Sequence, residues 1–554
     1  MSLKIFHRIL STSVFFLAAL LICTSNFAWA YEHECGTMRV FRDIIKNKKY
    51  PKTALAKGSP ESEQKCGADS FYDSVYTIET AHIQVFYVLK GPHATTKAFA
   101  DSTAASMEAA WDFYVNKLKM REPKGTKISN HYLQKVKDGL YPIEIIDLEQ
   151  YRDTAYILEK SFGVTLPFDN STQIFLDNDF YYGALHNGKK ENYFIKGNDT
   201  CAYDVGYIPL YNRTHNFYYT NEWAKGIRLT SFHEFYHAVQ LRYLSLYENF
   251  TFWFEASATG FEEVTNPEID DYISYLPYIF YDLDISLSNT EVNNYKQYGA
   301  SALFLYLYNK VSKGLDKSIW ENFSKAPTKT FEEQLATSLK QYKLDADSIF
   351  HDFTVLLSLS GNRSEALAKK DLISNDQPQW PTALFDYNAS IKPNLISLTY
   401  EFDFVPDSYI QPDLTDFTGK ASAITFKDNK ATIHKILSNK TLDSLTNILS
   451  SSDSVFWIFS RLGESEAIPV ISGNTSPHAF PVPWKNGSLC FAPLPRDKKF
   501  IEIRTRRGDL ISQEKYDGTS YCLQEDKVKS MMAPGIYRFR VGNKGKTTSF
   551  MVIY

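Results

Sequence analysis

The chain has 554 residues, too many for one compact core, and this length points to several domains. Hydrophobic residues make up 44% and charged residues 22%, which excludes the disordered, collagen-like and coiled-coil classes. The formal charge is −4 and no basic tract occurs, so no nucleic-acid partner is expected.

Residues 1–30 read as a secretory signal peptide. Lys4 and Arg8 form a basic start, "VFFLAALLIC" is an apolar middle, and Ala28-Trp29-Ala30 is a small-x-small cleavage pattern. The apolar run is short for a bilayer span; a retained anchor is the competing reading. Ile22 before Cys23 does not suit a lipoprotein signal. Cleavage near Ala30 removes two positive charges and leaves a more acidic chain, exported to the periplasm, the cell surface or the medium. No later run is long and apolar enough to span a membrane. Oligomeric state is not legible.

Five cysteines remain after cleavage: Cys35, Cys66, Cys201, Cys490 and Cys522. An oxidising compartment makes pairing plausible, and proximity favours Cys35–Cys66 and Cys490–Cys522. No C-x-x-C occurs, so a cysteine zinc cluster is not expected.

Residues 31–80 are polar and irregular, either an N-terminal lobe or a removable pro-segment. "AHIQVFYVL" alternates as a strand, "STAASMEAAWDFYVNKLK" reads as a helix, and "YPIEIIDL" and "STQIFLDNDF" are short strands. Helical patterns fill about 227–370. The proline-bearing stretch 374–393 marks a boundary. Beyond it, "LISLTYEFDF", "ASAITF" and "SVFWIFS" carry β-sandwich signals. After a second linker at 472–488, "KFIEIRT", "DLISQEKY", "GIYRFRVG" and "TTSFMVIY" suggest a small all-β unit in which Arg507-Gly508-Asp509 is a hairpin turn. The expected domains are 81–375, a β-sandwich over 390–475 and a small β domain over 488–554.

The chemistry concentrates in "FHEFYHAVQLRY" (232–243). Positions i and i+4 share a helix face, so His233 and His237 can aim at one point. Glu234, one step round, can reach a water on a metal held there. Three protein ligands and a water make a catalytic zinc site, and the metal lowers the water's pKa to roughly 7 for a carboxylate to deprotonate. The competing reading is an ordinary helix with two histidines. A third ligand is offered by "FTFWFEASATGFEE" (250–263), where Glu255 lies among Ala256, Ser257 and Ala258, with 17 residues between it and His237. That spacing lets a second helix return antiparallel. Glu255 could instead be an N-terminal helix carboxylate favoured by the dipole. Glu262, seven residues on, could hydrogen-bond a ligand histidine or be the third ligand itself.

"HEFYHAVQ" followed by "WFEASATGFEE" resembles the gluzincin metallopeptidases, which share an H-E-x-x-H helix and a downstream glutamate helix. The closest likeness is to bacterial exported metalloproteases that read roughly H-E-F-x-H-x-x-Q and then W-x-x-E-G-x-A-x-W-x-E. The resemblance covers about residues 80–370. It implies an α+β domain, an antiparallel-edged sheet plus a helical subdomain, with His233, His237 and Glu255 as zinc ligands and Glu234 as general base. The sequence departs at Ala256, where the family has Gly, and lacks the later Trp, with Gly260-Phe261 nearby. It also implies a Tyr or His at the developing oxyanion; Tyr298 in "QYGAS" is the candidate, against 36 other tyrosines that could each be a core or surface residue. "STQIFLDNDF" would be the edge strand that pairs with the substrate backbone. Asp177 and Asp179 in it could bind structural Ca2+ or simply close a strand-end turn. The C-terminal segment is weakly similar to type IX secretion sorting domains, although an accessory β-module reads the same way. The expectation is therefore an exported zinc endopeptidase acting on peptide or protein substrates. The alternatives are a non-catalytic surface or adhesion protein retaining this fold, and a zinc hydrolase of another amide or ester.

Overall fold

A computed structural model describes Thr37, residues 74–89, 93–148, 161–178 without 169, 180, 223–244, 251–281, 287, 295–367, 371–381, three short hairpins within 152–202, and most of 396–553. Contacts divide the chain into Met1–His33 and Glu34–Tyr554. The first unit, which contains the residues read as a signal peptide, lies outside the described residues, as do Cys35, Cys66, the Cys201 side chain, Asp179 and Arg507. Among the described residues no helix is long and apolar enough to cross a membrane. The fold is mixed, with helices and several small sheets.

A five-stranded sheet backs the site. Its strands are β1 (Tyr76–Glu79), β2 (Ile83–Tyr87), β3 (Tyr141–Ile146), β4 (Gly163–Phe168) and β5 (Ser171–Asp177), in the order β1-β2-β3-β5-β4. β2, β3 and β5 run parallel, and both edges pair antiparallel. A parallel pair needs a crossover, and the helix α1 (Lys97–Trp111) lies in the one between β2 and β3. Alternation sends Ile83, Val85, Ile143, Ile145, Ile174 and Leu176 to the large helical core. Phe86, Ile146, Val164, Leu166 and Phe175 face a smaller cluster with Tyr132 and Val136. Both faces are covered, so β2 and β3 are buried throughout.

The strand predicted from "STQIFLDNDF" is β5, but it is not the edge. It pairs with β3 on one side and β4 on the other. The edge beside it is β4, "GVTLPF", which carries Pro167 as an edge strand can; β1 is the other edge. The expectation failed because a buried apolar run signals a central strand, and β5 is buried from Thr172 to Asp177.

The helix α2 (Trp223–Gln240) is buried on every face from Leu229 to Gln240, so it runs through the core rather than over it. Against it packs α3 (Thr251–Thr265), where Gly260 is required by contact: a Cβ there would lie 2.1 Å from Phe304 Cδ1. The helices α4 (Lys296–Gly299), α5 (Ser301–Tyr306), α6 (Leu315–Lys325), α7 (Phe331–Lys340) and α8 (Ala346–Ser358) complete this region. α7 starts on a capping box, with Thr330 and Glu333 each bonding the other's backbone N–H.

Beyond it, β6 (Ile396–Asp403), β7 (Lys420–Lys427), β8 (Lys430–Ile436) and β9 (Ser454–Arg461) form an antiparallel sheet in the order β6-β9-β7-β8. Helices cover it. Leu442 and Leu449 of α9 (Asn439–Ser450), an amphipathic helix that the strand-dominated reading missed, pack on Ala423, Val455 and Trp457. Val355 and Leu359, in and just after α8, pack on Ile424 and Ile458 of the other face. The C-terminal region has two further antiparallel sheets that share one core, containing Trp484, Phe491, Ile501, Phe539 and Phe550. Cys490 and Cys522, opposite each other on neighbouring strands of one of these sheets, are bonded, as proximity suggested.

Candidate metal centre

His233 and His237 project from α2 and Glu255 from α3 to a single point. His233 Nε2 lies 2.9 Å from His237 Nε2, and Glu255 carboxylate oxygens lie 3.2 Å and 3.7 Å from the two nitrogens. All three groups are buried.

The hydrogen bonds behind the imidazoles decide what those nitrogens carry. Gln240 Nε2 donates to the Phe254 carbonyl at 3.0 Å and to Ser257 Oγ at 3.0 Å, while Ser257 Oγ donates to the Trp253 carbonyl. This fixes the amide, so Gln240 Oε1 is an acceptor where it meets His237 Nδ1 at 2.7 Å. The Nδ1 must then donate, and Nε2 of a neutral ring is left with a lone pair. His233 Nδ1 meets Glu262 Oε1 at 2.5 Å, which orients the second ring in the same way. Phe254 stacks on His237 with centroids 4.1 Å apart and holds the ring plane.

Three electron-pair donors thus face one another in a buried space. Neither oxygen of Glu255 has a hydrogen-bond partner there. An orphaned buried carboxylate beside two lone pairs is costly unless a cation sits among them. Burial acts to raise the Glu255 carboxyl, and positive charge on His237 and His233 lowers it to about 2, so it is a cation at this point that keeps the carboxylate ionised. Tetrahedral zinc at ordinary bond lengths spaces its ligand atoms about 3.3 Å apart. The observed 2.9, 3.2 and 3.7 Å bracket that value. The donor set fits zinc.

Glu262 does not join the cluster; its carboxylate is spent on His233 Nδ1. Burial pushes its carboxyl up to about 7, against the pull of His233.

Glu234 is buried against the sheet. Its Oε2 lies 2.7 Å from the Thr165 hydroxyl and 2.9 Å from the Thr37 hydroxyl, both within donating distance. Gly163 of β4 lets that carboxylate approach the edge strand, since a Cβ there would lie 2.6 Å from Glu234 Cγ.

Two buried groups tie the helices together. Asp316 at the start of α6 accepts from Tyr236 Oη on α2 and, at 2.9 Å, from Trp253 Nε1 on α3. Burial pushes its carboxyl up to about 7, with those bonds opposing. Tyr298 lies on α4, which packs on α3, in a tyrosine cluster with Tyr275 and Tyr295. Tyr275, stacked on Tyr298 at 5.0 Å, is one of the phenols whose charge state feels Glu262. Burial first, then Asp271 and Glu262, push its pKa well above 10, so it remains an O–H donor.

Of the acids considered for calcium, Asp179 lies outside the described residues. Asp177 Oδ1 accepts from the Leu148 N–H and Oδ2 from the Phe180 N–H, the strand-end turn of the alternative reading. Elsewhere Glu263, Asp270 and Asp376 bring their carboxylates together. Burial and the two aspartates push the Glu263 carboxyl up to about 9, so this cluster retains a proton.

Sequence reasoning missed Thr37, Thr165 and Asp316, and it quoted Gln240 without a role. Only Gln240 carried a local signal, three residues after His237 on the same helical face. In comparisons with known proteins, no family model matches this chain and no curated protein is significantly similar to it.

Proposed function

We propose that this chain is an exported zinc-dependent peptidase of the gluzincin type. The observation that carries the reading is the pair of histidine tautomers locked by Gln240 and Glu262, which turn two lone pairs toward an unpartnered buried Glu255. A zinc ion held by His233, His237 and Glu255 would supply Lewis-acid chemistry, polarising a carbonyl and acidifying a water.

The chain's own groups then have distinct work. Glu234 takes the proton of the attacking water and passes it to the leaving amine. Its position beside β4 puts that exchange at a sheet edge, where an extended peptide can add as a further strand whatever its sequence. The Tyr275–Tyr298 pair offers a protonated phenol to the oxyanion. Burial of the whole centre strengthens each of these interactions by removing water.

Casein or a peptide library incubated with wild type and with Glu234→Gln tests the reading. Stoichiometric zinc is expected in both proteins, with hydrolysis lower in the variant by about 10²- to 10⁴-fold. Full activity in Glu234→Gln would refute the mechanism. Cleavage of an ester or a non-peptide amide, with none of peptides, would move the substrate class.

A further inference from the structure

A cavity of about 230 Å³ lies where the chain after α1 meets α3 and the start of α6. His233, His237 and Glu255 are not among the described residues that line it. Its walls are of two kinds. Leu118, Met120 and Phe261 are apolar, and Met120 and Phe261 are buried, so they form its inner side. Lys117 and Lys313 are exposed at its mouth, and Lys317 is half-buried. The charges there do not cancel. Lys117 is paired with Asp112 at 3.0 Å, but Lys313 and Lys317 form no ion pair among the described residues. Asp316 also lines the cavity, yet both of its oxygens are engaged elsewhere, by Tyr236 Oη of α2 and Trp253 Nε1 of α3. Uncompensated positive charge beside an apolar wall concentrates anions, and the apolar wall favours whatever removes it from water.

We propose that this cavity binds a small molecule with one carboxylate head and a short apolar body. The body lies on Leu118, Met120 and Phe261, and Lys313 and Lys317 hold the head. The site stands apart from the peptidase reading, since it uses no group of the metal centre. The volume sets the size of the ligand. A water takes about 30 Å³ of liquid, so 230 Å³ accepts about eight groups of that size. That is an acid of about eight carbons, smaller than the ligands of drug-sized sites, which begin at about 300 Å³. Inorganic phosphate or sulfate has the charge but no body to cover the apolar wall. Two sources supply both parts: a medium-chain fatty acid, and the C-terminal residue of a peptide.

Calorimetric titration of the full chain with hexanoate, octanoate and dodecanoate tests the fit. Each buried CH2 strengthens binding about fourfold, so octanoate should bind about 15-fold more tightly than hexanoate. Dodecanoate should gain less than about fourfold over octanoate, because the cavity is full, where unlimited burial would give about 200-fold. Octanol keeps the tail without the charge and should bind about tenfold more weakly than octanoate. The double variant Lys313→Gln/Lys317→Gln changes two side chains at the mouth and leaves the core intact. It should lose about tenfold in octanoate affinity and bind octanol as wild type does. Equal octanoate affinity in the two proteins would overturn the assignment of the head. Affinity that keeps rising undiminished to dodecanoate, or uptake that never saturates, is partition onto the surface and would overturn the site. N-acetyl-leucine separates the sources: binding tighter than hexanoate assigns a peptide C-terminus, and weaker binding assigns a fatty acid.

Discussion

Gln240 is the residue through which the two site helices agree on a tautomer, and replacing it by leucine isolates that role. Leucine keeps the volume and the helix propensity but deletes three bonds: from His237 Nδ1, to the Phe254 carbonyl and to Ser257 Oγ. His237 then loses the acceptor that fixes its Nδ1–H, and its ring can present a proton where the metal needs a lone pair. Partners behind a metal-bound imidazole are worth about 10- to 100-fold in affinity. Zinc affinity is therefore expected to fall by about 1.4–2.7 kcal/mol, measured by competition with a chromophoric chelator at pH 7.5. Stability of the metal-free chain also falls, by about 1–3 kcal/mol, because the Phe254 carbonyl is left buried with one partner fewer. Gln240→Glu separates the two effects. It keeps an acceptor for His237 Nδ1 but loses the amide donors, so it should bind zinc nearer to wild type than the leucine variant does. A leucine variant that is folded and binds zinc within twofold of wild type would refute the tautomer argument, and with it the strongest reason for placing a cation here.

Glu255→Ala removes the only carboxylate in the converging set and should abolish stoichiometric zinc in the purified protein, read by elemental analysis. Retention of one zinc per chain would transfer the third ligand to Glu262 and remove the role assigned to Glu255. A prediction independent of the metal concerns His351 on α8, which is buried between Ser460 and Ser422, its nitrogens 2.5 and 2.8 Å from their hydroxyls. Burial, then Lys435 and Lys420, lower its pKa from 6.5 to about 4. The folded state thus disfavours the proton that the unfolded chain accepts. The stabilisation is complete above about pH 6.5 and is lost as pH falls toward 4, by about 3 kcal/mol in all. Urea unfolding from pH 7.5 to 4.5 should lose that increment in wild type and not in His351→Gln; parallel slopes in the two proteins would count against the assignment.

Much of the candidate site was legible because its geometry is local. His233, Glu234 and His237 lie within one and a half turns of one helix, and periodicity fixes their relative directions whatever surrounds them. Glu255 was reachable because Phe252, Trp253 and Phe254 announce a buried helix and the 17 intervening residues permit only a short turn back. The strands of alternating residues were legible for the same reason. Which strand forms the edge was not, since order in a sheet is a contest between whole elements: β5 and β4 differ only in which has a neighbour on its far side. The helix α9 was overlooked among strands because its apolar positions, Leu442, Leu445 and Leu449, have meaning only against the sheet they cover.

The order of residues by itself determined that two imidazoles and a carboxylate are carried on neighbouring helices, because covalent spacing and helical pitch are properties of the chain alone. Only the tertiary structure decided which proton each imidazole keeps, and that Thr37 and Thr165 meet at the Glu234 carboxylate. Those depend on hydrogen bonds between groups 3 to 197 residues apart, whose partners are chosen by packing and not by any local pattern.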